Sequence, residues 1–449
     1  MVIMSLQVHY VVTLCGHLTC LVYAANLSHR MKLSIAGLNL PALQVNVARH
    51  CLLEANVELL PELAGLILRL LLCHIDRVRF RCVCRRWRLA ERQHRPRLPP
   101  ALPFICLNHR AFLSVPGGEA RRAGAALPAG LTVRGCFDGW LLYGPHDRYS
   151  DDLGGGRCFL TNPLTGAAVE MPVLLGDRGR GSVLSMRKAI VCLPDLVVAF
   201  LGGSTVAFHR RGAPTWSVCP EFDAGDGRRR PSYVDVALYR GKIYGLDTDD
   251  ELFVHEIVSD DDDGAAAASI AGAPPDAPPP PPASRPVEQV IKAQAGPRAV
   301  DPDEALIRRC HYLVVSSTGK LLMVKWTLPP FHRRSPPTST DEITVEVFEA
   351  DLEMGRWVEV SSLEDDGEAL FVGKGCSKAV RFTGNDERFQ GNRVYVLGHD
   401  NFFGYCCNAM PSYGFYDMRN GRIGQVRHDR IMEVAVWPIS NMEWFFPIE

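Results

Sequence analysis

Ser185 precedes Lys188 by three residues, the spacing of serine acylases in which a lysine takes the nucleophile's proton. None of the companion motifs of those enzymes occurs, so the pair reads as chance. Gly154-Gly155-Gly156 lacks the following Lys-Ser/Thr of a phosphate-binding loop and reads as a turn beside Asp151 and Asp152. Asp247, Asp249, Asp250 and Glu251 crowd one short segment and could hold a cation, although a solvent-exposed acidic turn is the ordinary case. His399 and Asp400 have no nucleophile beside them, His311 opens a strand, and no His-Glu-x-x-His occurs. The 15 cysteines include no Cys-x-x-Cys pair; Cys82 and Cys84 are two apart, and Cys406 and Cys407 are adjacent. The sequence therefore predicts no catalytic residue, no metal and no organic cofactor, and the chain reads as a binding protein.

Composition narrows the class further. The chain has 449 residues, 47% hydrophobic and 22% charged, with a net charge of -1. That is a globular balance with ample apolar material, and it gives no general attraction to nucleic acid or to anionic membranes. Cysteines set in apolar runs point to a reducing compartment, cytoplasmic or nuclear. Tyr10–Ala25 is apolar and ends near Val22-Tyr23-Ala24, but no basic residue precedes Arg30, so a secretory leader is not expected. The glycosylation sequon Asn26-Leu27-Ser28 then has no role. Residues 1–55 read as a poorly ordered extension.

Two kinds of element would position whatever binds. Over residues 56–95, Leu59, Leu60, Leu63, Leu66, Ile67, Leu70 and Leu71 repeat at three-to-four spacing, which predicts a helix with Pro61 in its first turn. Gly65 lowers propensity inside it. Asp76 is expected as the N-cap of a second helix, followed by Phe80, Val83, Cys84 and Trp87 on one face. Residues 96–130, rich in proline, read as a hinge and linker.

From Leu131 the period changes to that of strands, and residues 131–449 are expected to be almost wholly β. A strand, a glycine turn and a second strand recur at Tyr239–Asp247, Ser317–Trp326 and Gln390–Asp400. Small sheets that cannot bury both faces alone can do so when arranged radially, which predicts a β-propeller of five to seven blades at about 40–50 residues each. An irregular pair of β-sandwiches is the alternative. Residues 260–300, with an acidic run and Pro278–Pro282, read as a disordered insert, and Pro329–Thr340 as a smaller loop.

The segments Leu60-Pro61-Glu62-Leu63, Asp76-Arg77-Val78-Arg79-Phe80 and Val83-Cys84-Arg85-Arg86-Trp87 resemble the F-box family. That resemblance implies a three-helix unit that binds a Skp-type adaptor of a cullin–RING (SCF) ubiquitin ligase, with a separate C-terminal domain that captures a protein substrate. Carried over residue by residue, it places adaptor contacts at Leu60, Pro61, Leu63, Ile67, Phe80, Val83 and Trp87, with Trp87 weighted toward the small core. The later segments Gly135-Cys136-Phe137-Asp138-Gly139-Trp140, Asn162-Pro163-Leu164-Thr165-Gly166, Val236–Tyr244 and Phe415-Tyr416-Asp417 resemble the plant family that joins an F-box to a KIB-type propeller. This resemblance spans about Leu131 to Asn420 and implies a plant source and a receptor role, with no common ligand. A scaffold that supports no ubiquitination and a propeller enzyme with acidic residues at its axis are the competing functions.

Overall fold

The computed structural model describes residues 61–108, 111–114, 120–122, 131–137, 139–145, 157–173, 186–193, 196–202, 205–210, 212–218, 231–255, 288–292, 308–328, 343–363, 367–382, 389–397, 412–427 and 442–447. These residues divide into two compact units, 61–71 with 75–98, and 72–74 with 99 onward. The expectations placed on 1–55, Leu60, Gly154–Gly156, Ser185, His399 and Asp400, and on most of 260–300, lie outside them.

The first unit holds α1 (Pro61–Leu70), α2 (His74–Cys82), α3 (Arg85–His94) and a 3-10 turn at Arg95–Arg97. Pro61 opens α1, where a missing N–H is tolerated. Asp76 is not an N-cap: α2 starts two residues earlier, and the carboxylate pairs with Arg79 one turn on, at 2.9 Å. Cys84 caps α3 instead, with its sulfur accepting the Trp87 N–H at 3.5 Å.

The second unit is a six-bladed β-propeller. Its first blade contains β1 (Phe104–Asn108), β2 (Ala111–Ser114) and β3 (Ala120–Arg122). The second holds β4 (Leu131–Phe137), β5 (Trp140–Pro145), β6 (Cys158–Thr161) and β7 (Ala168–Met171). The third holds β8 (Lys188–Leu193), β9 (Leu196–Gly202), β10 (Thr205–Arg210) and β11 (Ser217–Val218). The fourth holds β12 (Tyr233–Tyr239), β13 (Lys242–Asp247), β14 (Leu252–His255) and β15 (Glu288–Ile291). The fifth holds β16 (Arg308–Val315), β17 (Leu321–Leu328), β18 (Thr344–Asp351) and β19 (Arg356–Glu359). The sixth holds β20 (Glu368–Val372), β21 (Lys378–Arg381), β22 (Arg393–Leu397), β23 (Ser412–Asp417) and β24 (Arg422–Arg427). Finally β25 (Glu443–Phe445) pairs with β1, so both ends of the domain share one sheet and the ring closes. That closure removes the pair of sandwiches as an alternative.

The two-residue period of a strand explains the stacking. On β16, Tyr312 and Val314 pack with Leu370, Val372, Val394 and Val396 of blade six, while Leu313 packs with Ala237, Tyr244 and Leu246 of blade four. On β20, Leu370 and Val372 join the blade-five side, while Ala369 and Phe371 join Ile105, Leu113 and Trp444 of blade one. Inner strands therefore carry apolar residues on both faces, each face filling one interface.

Three boundaries differ from the sequence reading. Phe104–Arg122, inside the expected linker, supplies three strands of blade one. Glu288–Ile291, inside the expected insert, is the outer strand of blade four and pairs with β14. The repeat proposed at Gln390–Asp400 is not a hairpin, because β22 runs parallel to β20 and only its other edge pairs antiparallel, with β23. A clearer repeat lies in the outer turns: Asn162 and Asp417 each accept backbone N–H bonds two residues on, and each stands four residues before a glycine, Gly166 or Gly421, at φ 76° or 68°.

Candidate interaction surfaces

Of the residues expected to meet an adaptor, the helical unit keeps two for itself. Ile67 and Phe80 are buried with Ala64 and Leu68, and the Phe80 ring lies 4.4 Å from that of Trp87. Trp87 is half-buried against this cluster, in keeping with a core role, and Leu63 and Val83 are half-buried as well. Pro61 is placed by its backbone alone, and Leu60 lies outside the described residues. The aliphatic residues that reach solvent are Leu66 (56% exposed), Leu70 (70%) and Leu89 (56%). The signal was present in the sequence. Ala64, Ile67, Leu68 and Leu71 already fill one helical stripe, so Leu63, Leu66 and Leu70 must fall on another.

Polar contacts fix this unit. Buried Arg77 donates to the Leu71 carbonyl at 2.6 Å, and Arg95 grips buried Glu91 through two contacts of 2.8 Å. Gly65 allows a close approach: a Cβ there would stand 2.6 Å from the His94 ring, which would have to shift. Helices α1 and α3 touch at that point because no side chain intervenes.

In the propeller, buried charges run from blade to blade. Lys188 on β8 sits 2.5 Å from Asp235 on β12, and the other carboxylate oxygen of Asp235 accepts the Leu313 N–H of β16 at 2.7 Å. One side chain thus joins blades three, four and five. Burial raises the Asp235 carboxyl above its ordinary value, against the opposing pull of Lys188 and of two backbone N–H groups. Glu368 on β20 accepts the Ser317 N–H of blade five, and Glu443 on β25 accepts the Gly375 N–H of blade six at 3.1 Å. These carboxylates hold blades together. Asp235 lies inside an apolar strand, in Tyr233-Val234-Asp235-Val236, while Glu368 and Glu443 open theirs, and sequence reasoning passed over all three.

The acidic segment singled out in the sequence is not a solvated turn. Asp247 is buried, and its Oδ1 accepts the N–H groups of Asp249 (2.8 Å) and Glu251 (2.9 Å). Burial alone would raise the Asp250 carboxyl, but His311 at 3.0 Å and Lys325 at 2.6 Å hold it at about 2. Trp357 donates to the Asp250 carbonyl at 2.7 Å, so this turn clamps blade four to blade five. Lys188, half of the acylase-like spacing, is held by Asp235. No cluster of three or more metal-binding side chains occurs among the described residues, and no helix among them is long and apolar enough to cross a membrane.

No curated protein matches the chain. Among solved structures, a chain of the S. cerevisiae Dbp5 assembly bound to Nup159, Gle1, IP6 and ADP aligns over 74% of this chain and 76% of its own length. Identity there is 8% and the TM-score 0.27, too slight a likeness to bear on function. The family model described as KIB1-4 beta-propeller matches residues 112–418, well over half of the chain and reaching from β2 into blade six; the chain belongs to that family.

Proposed function

We propose that this chain is a non-catalytic F-box substrate receptor. Its helical unit engages a Skp-type adaptor of a cullin–RING ubiquitin ligase, and its propeller presents a protein substrate. The observation that carries the reading is the aliphatic face of α1: Leu66 and Leu70 stand in solvent although the unit has apolar residues enough for its own core. A partner groove that buries such a face supplies what the small unit lacks. The Val83-Cys84-Arg85-Arg86-Trp87 segment and the propeller that follows fit the same reading. A receptor of this kind works in the cytoplasm or nucleus and needs no cofactor.

The test is calorimetric titration of the full chain with a purified plant Skp-type adaptor. The unaltered chain should bind. Changing Leu66 and Leu70 together to Ala should cost about 2 kcal/mol or more, roughly thirtyfold in affinity, with the far-UV circular dichroism unchanged. No binding by the unaltered chain would remove the adaptor from the reading. Full affinity in the double variant would move the contact elsewhere on the helices.

A further inference from the structure

The ring closes where blades six, one and two meet, and two cysteines are neighbours there. Cys136 lies on β4 of blade two, and Cys376 lies in the turn between β20 and β21 of blade six. The Cys376 sulfur is 3.5 Å from the Cys136 carbonyl oxygen, which sets the two residues side by side across the seam. Both pack into the apolar cluster that holds Trp444 of the closing strand β25. Around them the seam is non-covalent. Trp444 donates its indole N–H to the Val372 carbonyl at 3.0 Å, and Glu443 takes the Gly375 N–H. The Lys378 ammonium stands 5.3 Å from the centre of the Phe446 ring.

We propose that Cys136 and Cys376 form a reversible disulfide that seals this seam. The co-reactant is a small disulfide such as oxidised glutathione. One protein thiolate attacks it, forming a mixed disulfide and releasing one glutathione thiol. The second cysteine then displaces the other glutathione. Two protein thiols lose two electrons and two protons, and one glutathione disulfide becomes two thiols. The bond would join positions 240 residues apart (376 − 136), across the strand that closes the ring. Long closed loops give a cross-link its largest effect on the unfolded chain.

The surroundings set the rate. Burial pushes the Cys136 thiol well up, and its neighbour Cys376 adds to this, against the smaller pull of the Phe446 N–H and Lys378. A small thiolate fraction makes oxidation slow. A high-pKa leaving thiol makes the formed bond slow to reduce by exchange. The pair is therefore reduced in fresh protein under a thiol buffer and is captured only by sustained oxidation. Exposed Cys82 and Cys84 provide the contrast, since they are open to glutathione from the start.

The experiment incubates the folded full chain with a graded ratio of oxidised to reduced glutathione. Free thiols are then alkylated, and peptides are mapped without reduction. The expected result is a peptide pair joined through Cys136 and Cys376, forming more slowly than glutathione adducts at Cys82 and Cys84. The thermal midpoint should rise by several degrees in the oxidised chain and return on reduction. In C136S and C376S variants that rise should be absent. Separate alkylation of Cys136 and Cys376 after prolonged oxidation would overturn the proposal. So would equal formation of the link in urea-unfolded chain, which would show that the fold does not select the pair. Because the unaltered chain alone decides both outcomes, a variant that fails to fold leaves the test intact.

Discussion

The helical unit and the propeller face the same physical demand and meet it differently. The helices bury Ala64, Ile67, Leu68 and Phe80, yet leave Leu66, Leu70 and Leu89 more than half exposed. The propeller turns its inner strands into two-sided partners, so that Leu313 on β16 serves one interface and Tyr312 and Val314 the next. A ring reuses each sheet twice, whereas three short helices have only one inside. Leftover apolar surface is thus a consequence of size in the first unit, whereas in the far larger second unit the exposed apolar residues, such as Val169 and Met354, are scattered along the chain. The cohesion of the ring is also partly polar, through carboxylates of Asp235, Glu368 and Glu443 that accept backbone N–H groups of a neighbouring blade.

The sharpest way to break this comparison is at the seam. Trp444 is fully buried and fills the blade-one to blade-six interface. Trp444→Ala should cost about 4 kcal/mol. It should lower the thermal midpoint of the propeller as a whole, because the ring shares its interfaces. A small, local loss of amide protection confined to β25 would show that closure is not cooperative. Next in size is Lys188→Met, which leaves Asp235 buried without its cation. It should cost about 3 kcal/mol by chemical denaturation, while Lys188→Met with Asp235→Leu should recover most of that. An unchanged single variant would deny Asp235 its role as a clamp between blades.

The propeller was legible in the sequence because hairpins repeat their signals at short range: alternation, a turn, alternation again. The helices were legible from one periodic stripe. What escaped depends on contacts far apart in the chain. The strand Phe104–Asn108 has both edges paired in its blade because β25, over three hundred residues later, takes the edge that β2 leaves open. Glu288–Ile291 is too short to announce itself beside a proline-rich run, and β14 recruits it. The adaptor residues were carried over from the F-box resemblance without asking which of them the unit's own core would take. The structure buries Ile67 and Phe80 in that core and leaves Leu66 and Leu70 exposed.

Acid should separate the two units by a smaller margin. His255 is buried in blade four with its Nε2 2.8 Å from the Tyr233 hydroxyl, and burial lowers its pKa from 6.5 to about 4. The folded state therefore binds this proton more weakly than the unfolded chain. Its full contribution is present above pH ~6.5 and is lost progressively as pH falls toward ~4. At pH ~5.5 the loss is about 1 kcal/mol. Asp250, held at about 2, adds a later loss below pH ~3.8, while the raised carboxyls of Asp235 and Asp247 work in the opposite direction. Denaturant titrations of the propeller at pH 7 and pH 5.5 measure the difference, and His255→Gln should flatten it. An acid loss of the same size in that variant would assign the effect to another group.

The smallest expected effect bears most directly on what the exposed helix face is for. Leu70 is 70% exposed, so its removal opens no cavity and releases little buried area. Leu70→Gln also keeps a straight side chain with good helix propensity. The stability of the helical unit should therefore change by no more than about 0.5 kcal/mol, read from the amide exchange of α1. Ile67, three residues earlier on the same helix, provides the opposite case. It is 9% exposed and packs in the small core, so Ile67→Gln should leave a buried amide and melt the unit. If Leu70→Gln instead destabilised α1 as strongly as Ile67→Gln, the face would belong to the chain's own fold, and the surplus argued for a partner would vanish. If Leu70→Gln left α1 intact and weakened adaptor binding, the two stripes of one ten-residue helix would divide the work, one for folding and one for recognition.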